Sequence, residues 1–222
     1  MALVGNFKLD TNCKIEIMAE KDICNSISKN TILIDPAGTA FNGTNETYTA
    51  SSLSKEIYEK LKIYKNKHEP EKIIIKPSEA KISTDPHITK KKVGLLVHAV
   101  GPDGKQPQYS EPQKYLNTLK ETLNNIKQEI EIQPNLQNSE ILLPLISHDV
   151  YKNIKVIGAD YAKNYITFIK DTLCKLNLPI KLFVFNKKDV PYFQSFLEEK
   201  KEPETIKMAD SNPIKLEKIS ID

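Results

Sequence analysis

Apolar positions along this chain recur with two different periods, and the alternation between them predicts the architecture. Lys14-Ile15-Glu16-Ile17-Met18 alternates residue by residue, which predicts a strand with one wet face. Thr31 to Ile34, Lys72 to Ile75, Val93 to Val100, Ile141 to Ile146 and Lys181 to Phe185 are instead short continuous apolar runs between turn residues. Runs of that kind predict strands of a parallel sheet buried on both faces. Elsewhere the period lengthens. Leu53, Ile57 and Leu61 predict a helix over 50–62, with Ser51 or Ser52 as its N-cap. Leu116, Leu119, Leu123, Ile126 and Ile130 stripe a long helix that starts near Pro112, where the missing N–H costs nothing. Tyr161, Tyr165, Phe168, Thr172 and Leu176 mark another helix, and a last one runs from Val190 to Glu199. The polar stretch 77–91 reads as a loop. Strands alternating with helices, joined by connections long enough for crossovers, predict an α/β fold. Residues 1–200 form its domain, and 201–222, rich in lysine and glutamate, read as a polar tail or linker.

Composition narrows this picture. The 222 residues are 39% hydrophobic and 27% charged, enough for an ordinary core. No apolar run approaches the roughly 18 residues of a membrane span, and the first residues carry no secretion-signal pattern. Cys13, Cys24 and Cys174 are an odd set without close spacing, so neither a disulfide framework nor a zinc site is expected. A reducing compartment follows: the cytoplasm of the producing cell or of an infected host cell. Asn42-Gly43-Thr44 and Asn45-Glu46-Thr47 match glycosylation sequons and read as polar loop in that setting. No metal or cofactor is expected, and the chain reads as a monomer. All 32 basic residues are lysine, with a net charge of +3. An anion must therefore be held by backbone N–H groups, helix N-termini or lysine point charges, because no guanidinium fork exists.

Candidate chemistry gathers after two of the predicted strands, at Asp35-Pro36-Ala37-Gly38 and at Ser147-His148-Asp149-Val150-Tyr151. In open α/β sheets ligands collect at such strand ends. Among the histidines only His148 lies in one of these loops, beside Asp149, where the two can form an acid–base unit or simply face solvent. Gly43 sits in a polar loop before a helix, where backbone amides meet phosphate or merely turn the chain. P-loop, dinucleotide and nucleophile-elbow patterns are absent. His98, inside an apolar run, reads as a hydrogen-bonded packing residue, and Lys90-Lys91-Lys92 as a solvated strand entrance.

In order, these segments resemble a macrodomain, the three-layer α/β/α fold with a central mixed, mostly parallel sheet. Lys21-Asp22-Ile23 is similar to the family's Gly-Asp-Ile turn. Ile32 to Gly38 resembles its Ile-Val-Asn-Ala-Ala-Asn strand end, and Val97-His98-Ala99-Val100-Gly101-Pro102 its His-x-Val-Gly-Pro strand. Leu142 to Tyr151 resembles its second phosphate loop, and Phe183-Val184-Phe185-Asn186 its last strand. The resemblance covers about Lys14 to Glu199. It implies ADP-ribose as ligand: adenine on Asp22, Ile23, Phe185 and Asn186, and the remainder over Asp35, Ala37, Gly38, Gly43, Ser147, His148, Asp149, Val150 and Tyr151.

Departures from the family pattern bear on activity. Gly38 stands where hydrolytic members carry an asparagine that positions the distal ribose and water. Asp35 replaces the preceding asparagine, Glu46 lies in the first loop, and Asp149 replaces a loop glycine. Three readings stay open. The fold binds ADP-ribose, which is preferred because Asp22-Ile23 and Phe185 are retained. It is a hydrolase of ADP-ribosylated protein, rewired around Asp35, His148 and Asp149. Or it is an interaction module for protein or single-stranded nucleic acid.

Overall fold

A computed structural model describes residues 3–8, 13–19, 23–37, 52–61, 75–83, 93–148 and 151–197. Its strands are β1 (Leu3–Lys8), β2 (Lys14–Met18), β3 (Thr31–Ala37), β4 (Ala80–Ile82), β5 (Leu95–Val100), β6 (Glu140–Pro144) and β7 (Ile180–Phe183). They form one seven-stranded sheet in the order β1-β2-β7-β6-β3-β5-β4. β2, β7, β6, β3 and β5 run parallel, and β1 and β4 close the two edges antiparallel. This is a mixed, mostly parallel sheet, as the resemblance implies; the apolar runs predict its parallel strands.

Helices α1 (Ser52–Leu61), α2 (Pro112–Glu131), α3 (Gly158–Asp171) and α4 (Val190–Leu197) cover both faces. The strand pleat decides which face each apolar residue serves. Ile32, Ile34, Val97, Ile141, Leu143 and Leu182 pack under α2, α3 and α4. Their alternates Leu33, Leu96, Leu142 and Phe183 pack with Ile57, Tyr58 and Leu61 of α1 and with Ile23 of the 3-10 turn Ile23–Ser26. The result is three layers, α/β/α. Pro112 opens α2 at its first turn, and the buried stripe of that helix begins at Tyr115; its neighbour Leu116 is only half-buried. No helix among the described residues is long and apolar enough to cross a membrane.

The structure revises several expectations. Of the run Lys72 to Ile75, residues 72–74 lie outside the described residues and Ile75 lies outside any strand. The edge strand is Ala80–Ile82, inside the stretch read as loop; three residues with only Ala80 buried leave no readable period. β1 was not foreseen, because Gly5 and Asn6 interrupt its pattern where its register shifts. Finally, Cys13 and Cys174 form a disulfide across 161 residues, so the expectation of no disulfide does not hold. Close spacing is a poor guide here, because β2 and the 3-10 turn Leu173–Leu176 after α3 meet only through the sheet. Cys24 is buried and takes no part in the disulfide. The run read as the last strand, Lys181 to Phe185, narrows to Ile180–Phe183 and lies inside the sheet, between β2 and β6.

Candidate ligand site at the strand ends

From β3 the chain crosses over α1 to β5 on one side, and from β5 it returns through α2 to β6 on the other side of β3. The strand order thus reverses between β3 and β6. A reversal of this kind opens a crevice at the carboxyl ends of the two strands, where open α/β sheets bind ligands. The described segment there is the one that follows Pro144; the residues after Ala37 lie outside the described residues.

The segment after β6 is held from below. The Tyr161 hydroxyl, from α3, donates to the Ile146 carbonyl at 2.5 Å. The Tyr115 hydroxyl, from α2, donates to the Ser147 carbonyl at 2.5 Å. Tyr165 donates to the Pro144 carbonyl at 2.9 Å and accepts from the Ile146 N–H at 3.2 Å. All three rings are buried, and burial pushes the Tyr115 and Tyr165 hydroxyls above the ordinary tyrosine range. No peptide bond among the described residues is cis. In a trans peptide the N–H points opposite to the carbonyl. Drawing two successive carbonyls toward the helices therefore turns the N–H groups of Ser147 and His148 the other way, side by side. Ser147 has φ of 58°, in the left-handed region. Paired amides around such a residue make the concavity known to attract anions.

Neighbouring segments brace this turn. Gly101 admits it, because a Cβ there would collide with the Ser147 side chain and with Ile146. The Gly104 N–H donates to the Tyr151 carbonyl at 2.8 Å, and the Tyr151 N–H to the His148 carbonyl at 3.3 Å. Buried Asn153 donates to the Tyr109 carbonyl at 2.7 Å and accepts from the Lys155 N–H at 2.8 Å. His148 Nε2 lies 3.6 Å from the Asp189 carboxylate, and its ring packs on Tyr161 with centroids 5.0 Å apart.

Asp35 sits on the α1 face of β3, fully buried. Its Oδ1 accepts from the Ser54 hydroxyl at 2.5 Å, and its Oδ2 from the Tyr58 hydroxyl at 2.5 Å. His98 Nδ1, on the paired residue of β5, lies 2.7 Å from the same Oδ2. Both carboxylate oxygens are thus engaged inside the protein. His98 is the hydrogen-bonded interior residue that its apolar setting predicts. Ala37 is buried beside Ile75 and Val100.

At the β2 and β7 ends, Ile23 is buried in the apolar cluster against which half-buried Phe185 packs. The Phe183 and Phe185 rings lie 6.5 Å apart. Exposed Asn186 turns the chain: its side chain accepts from the Lys188 N–H at 3.1 Å and its carbonyl from the Asp189 N–H at 2.9 Å. Asp22, Gly38, Gly43, Asp149 and Val150 lie outside the described residues. The described candidates thus gather at the carboxyl ends of β2, β7, β6 and β3. Among the described residues no group of three His, Cys, Asp or Glu side chains is placed to hold a metal ion.

Sequence reasoning missed Asp189, Asn153, and the roles of Tyr115, Tyr161 and Tyr58. A signal existed for the tyrosines. A tyrosine on a buried helix stripe needs a partner for its hydroxyl, so it points at a polar group that the fold brings near.

No family model and no curated protein matches this chain. Solved structures do. A macrodomain of Oceanobacillus iheyensis solved with ADP is similar over 87% of this chain and 94% of its own, at TM-score 0.57 and 17% identity. A Trypanosoma brucei macrodomain in complex with ADP matches over 82% of this chain and 68% of its own, at TM-score 0.52 and 11% identity. The alphavirus P23pro-zbd structure matches over 82% of this chain and 23% of its own, at TM-score 0.55 and 14% identity. The strand order, the three layers and these likenesses together show that the chain has the macrodomain fold.

Proposed function

We propose that this protein binds ADP-ribose at the carboxyl ends of β3 and β6. The observation that carries the reading is the turn at Ile146-Ser147-His148, whose two inward carbonyls direct successive amides outward. A chain without arginine must hold a diphosphate largely through such amides, with lysine as the point charge. The apolar cluster around Ile23 and Phe185 offers a surface for a purine, and Asp22 an acceptor for its amino group. Structural neighbours solved with ADP and with ADP-ribose agree with a ligand of this class. Asp35 acts on the site indirectly, through its hold on α1, rather than as the residue that orients water. The reading is therefore a binding module.

Calorimetric titration with ADP-ribose tests it. Binding that Asp22→Ala loses and that Tyr115→Phe/Tyr161→Phe weakens supports the reading. Absence of heat at millimolar ADP-ribose, with the protein folded, overturns it.

A further inference from the structure

The described residues expose four large apolar side chains, and three share one corner: Ile154 at 79%, Ile157 at 53% and Tyr192 at 42%. The fourth, Ile132, lies at the far end of α2. Ile154 and Ile157 sit on the turn that leads into α3, and the Tyr192 ring lies over Gly158, within 3.7 Å of where a Cβ would stand. The corner is fixed rather than loose. Asn153 anchors one end of the turn, the Val156 N–H donates to the Asn153 carbonyl at 3.0 Å, and the Tyr192 N–H to the Asp189 carbonyl at 3.0 Å.

Lys152 and Lys155 stand exposed on the same turn, and Lys187 and Lys188 on the turn before α4. None of the four makes an ion pair among the described residues. The acids nearby in sequence are Asp149, which lies outside the described residues, Asp160, exposed in the first turn of α3, and Asp189, 3.6 Å from His148. Apolar side chains presented rigidly beside exposed lysines that outnumber the exposed acids of the same turns are the anatomy of a recognition surface.

We propose that this corner docks an acidic polypeptide segment that also carries apolar side chains, from a protein other than this one. Carboxylates complement the exposed lysines, and aliphatic or aromatic side chains cover the isoleucines and Tyr192. Single-stranded nucleic acid fits less well. Its bases need flat aromatic platforms, and two of the three apolar groups are isoleucines. A second copy also fits less well, because a two-fold contact sets each lysine cluster against its twin. The docking is independent of whether ADP-ribose occupies the strand-end crevice.

The test is selection of random phage-displayed peptides on the full chain, followed by fluorescence anisotropy with the best peptide made synthetically. Enriched sequences should combine Asp or Glu with apolar residues. Affinity should fall about tenfold or more in Ile154→Ser/Ile157→Ser and in Lys155→Glu/Lys188→Glu, as for loss of a central anchor. Thermal unfolding should be unchanged in both variants, since all four side chains are exposed. The proposal is overturned by selection of basic sequences, by no enrichment at all, or by equal binding to the variants. It is equally overturned if labelled oligouridine binds there in place of the peptide, or if the wild-type chain sediments as a dimer that Ile154→Ser/Ile157→Ser dissolves.

Discussion

Tyr115, Tyr161 and Tyr165 occupy core positions that phenylalanine would fill with equal apolar area, so their hydroxyls must account for the choice. Each hydroxyl reaches a carbonyl between Pro144 and Ser147. Leaving one such carbonyl unsatisfied costs about 1–3 kcal/mol. Tyr115→Phe should therefore lower unfolding stability by that amount in urea titration. Combined with Tyr161→Phe it should also release the turn and weaken ADP-ribose binding severalfold by calorimetry. The same tyrosines give a pH signature. Burial raises the hydroxyl pKa of Tyr115 and Tyr165, so the folded state favours their neutral forms. Their contribution is complete below the ordinary tyrosine range, near pH 10, and declines as pH rises above about 10. Equilibrium unfolding followed from pH 8 upward should show that alkaline loss, and Tyr165→Phe should reduce its slope.

Among elements, α1 is tied to the sheet through the buried Asp35 carboxyl group. Ser54 and Tyr58 lie four residues apart, one helical turn, and so reach the same carboxylate. Replacing Asp35 by alanine removes the acceptor shared by two buried hydroxyls and the His98 imidazole. It leaves Ser54 the longer bond to the Pro36 carbonyl at 3.2 Å and Tyr58 the His98 ring at 3.3 Å, at a cost of about 1–3 kcal/mol. Asp35→Ala should lower the melting temperature by several degrees. A carboxylate whose work was only to orient water would leave the melting temperature alone, so calorimetric melting separates the two roles. Helices and interior strands were legible because their apolar periods span enough residues to be unambiguous. β4 was not, since three residues at an edge with one buried alanine carry no period. Asp35 could be placed at a strand end, but its partners lie 19, 23 and 63 residues away and meet it only through the fold. Asp189 follows two lysines and reads as part of a solvated charge run until β7 sets it beside His148.

Across the whole molecule, the Cys13–Cys174 bridge encloses most of the sheet in one covalent ring. For a ring of this size the chain-entropy argument gives an upper value of about 5 kcal/mol, and strain-free native bridges deliver about 2–5 kcal/mol. Cys174→Ala should therefore lower the melting temperature by roughly 5–15 °C, since each kcal/mol is worth about 2–4 °C at this length. A reductant added to the wild-type chain should produce the same shift and leave Cys174→Ala unmoved. Pairing of this kind was not readable in advance, because nothing in the spacing of three cysteines says which two will meet. The sheet's overall order was readable only as a class, α/β; which strand neighbours which came from the crossovers.

That order also governs how the molecule is made. β7, the last of the seven strands to leave the ribosome, sits between β2, among the first, and β6. Until it emerges, β1 and β2 are a lone hairpin with no sheet to join, and a two-stranded hairpin in water is marginal at best. The edge of β6 opens only once β6 itself has emerged, and stays open until Ile180–Phe183 follows. The nascent chain thus carries one unpaired strand edge from β2 onward and a second one from β6 onward, and the insertion of β7 covers both at once. The insertion of β7 is accordingly the decisive step of folding, and the chain is most exposed to wrong partners just before it.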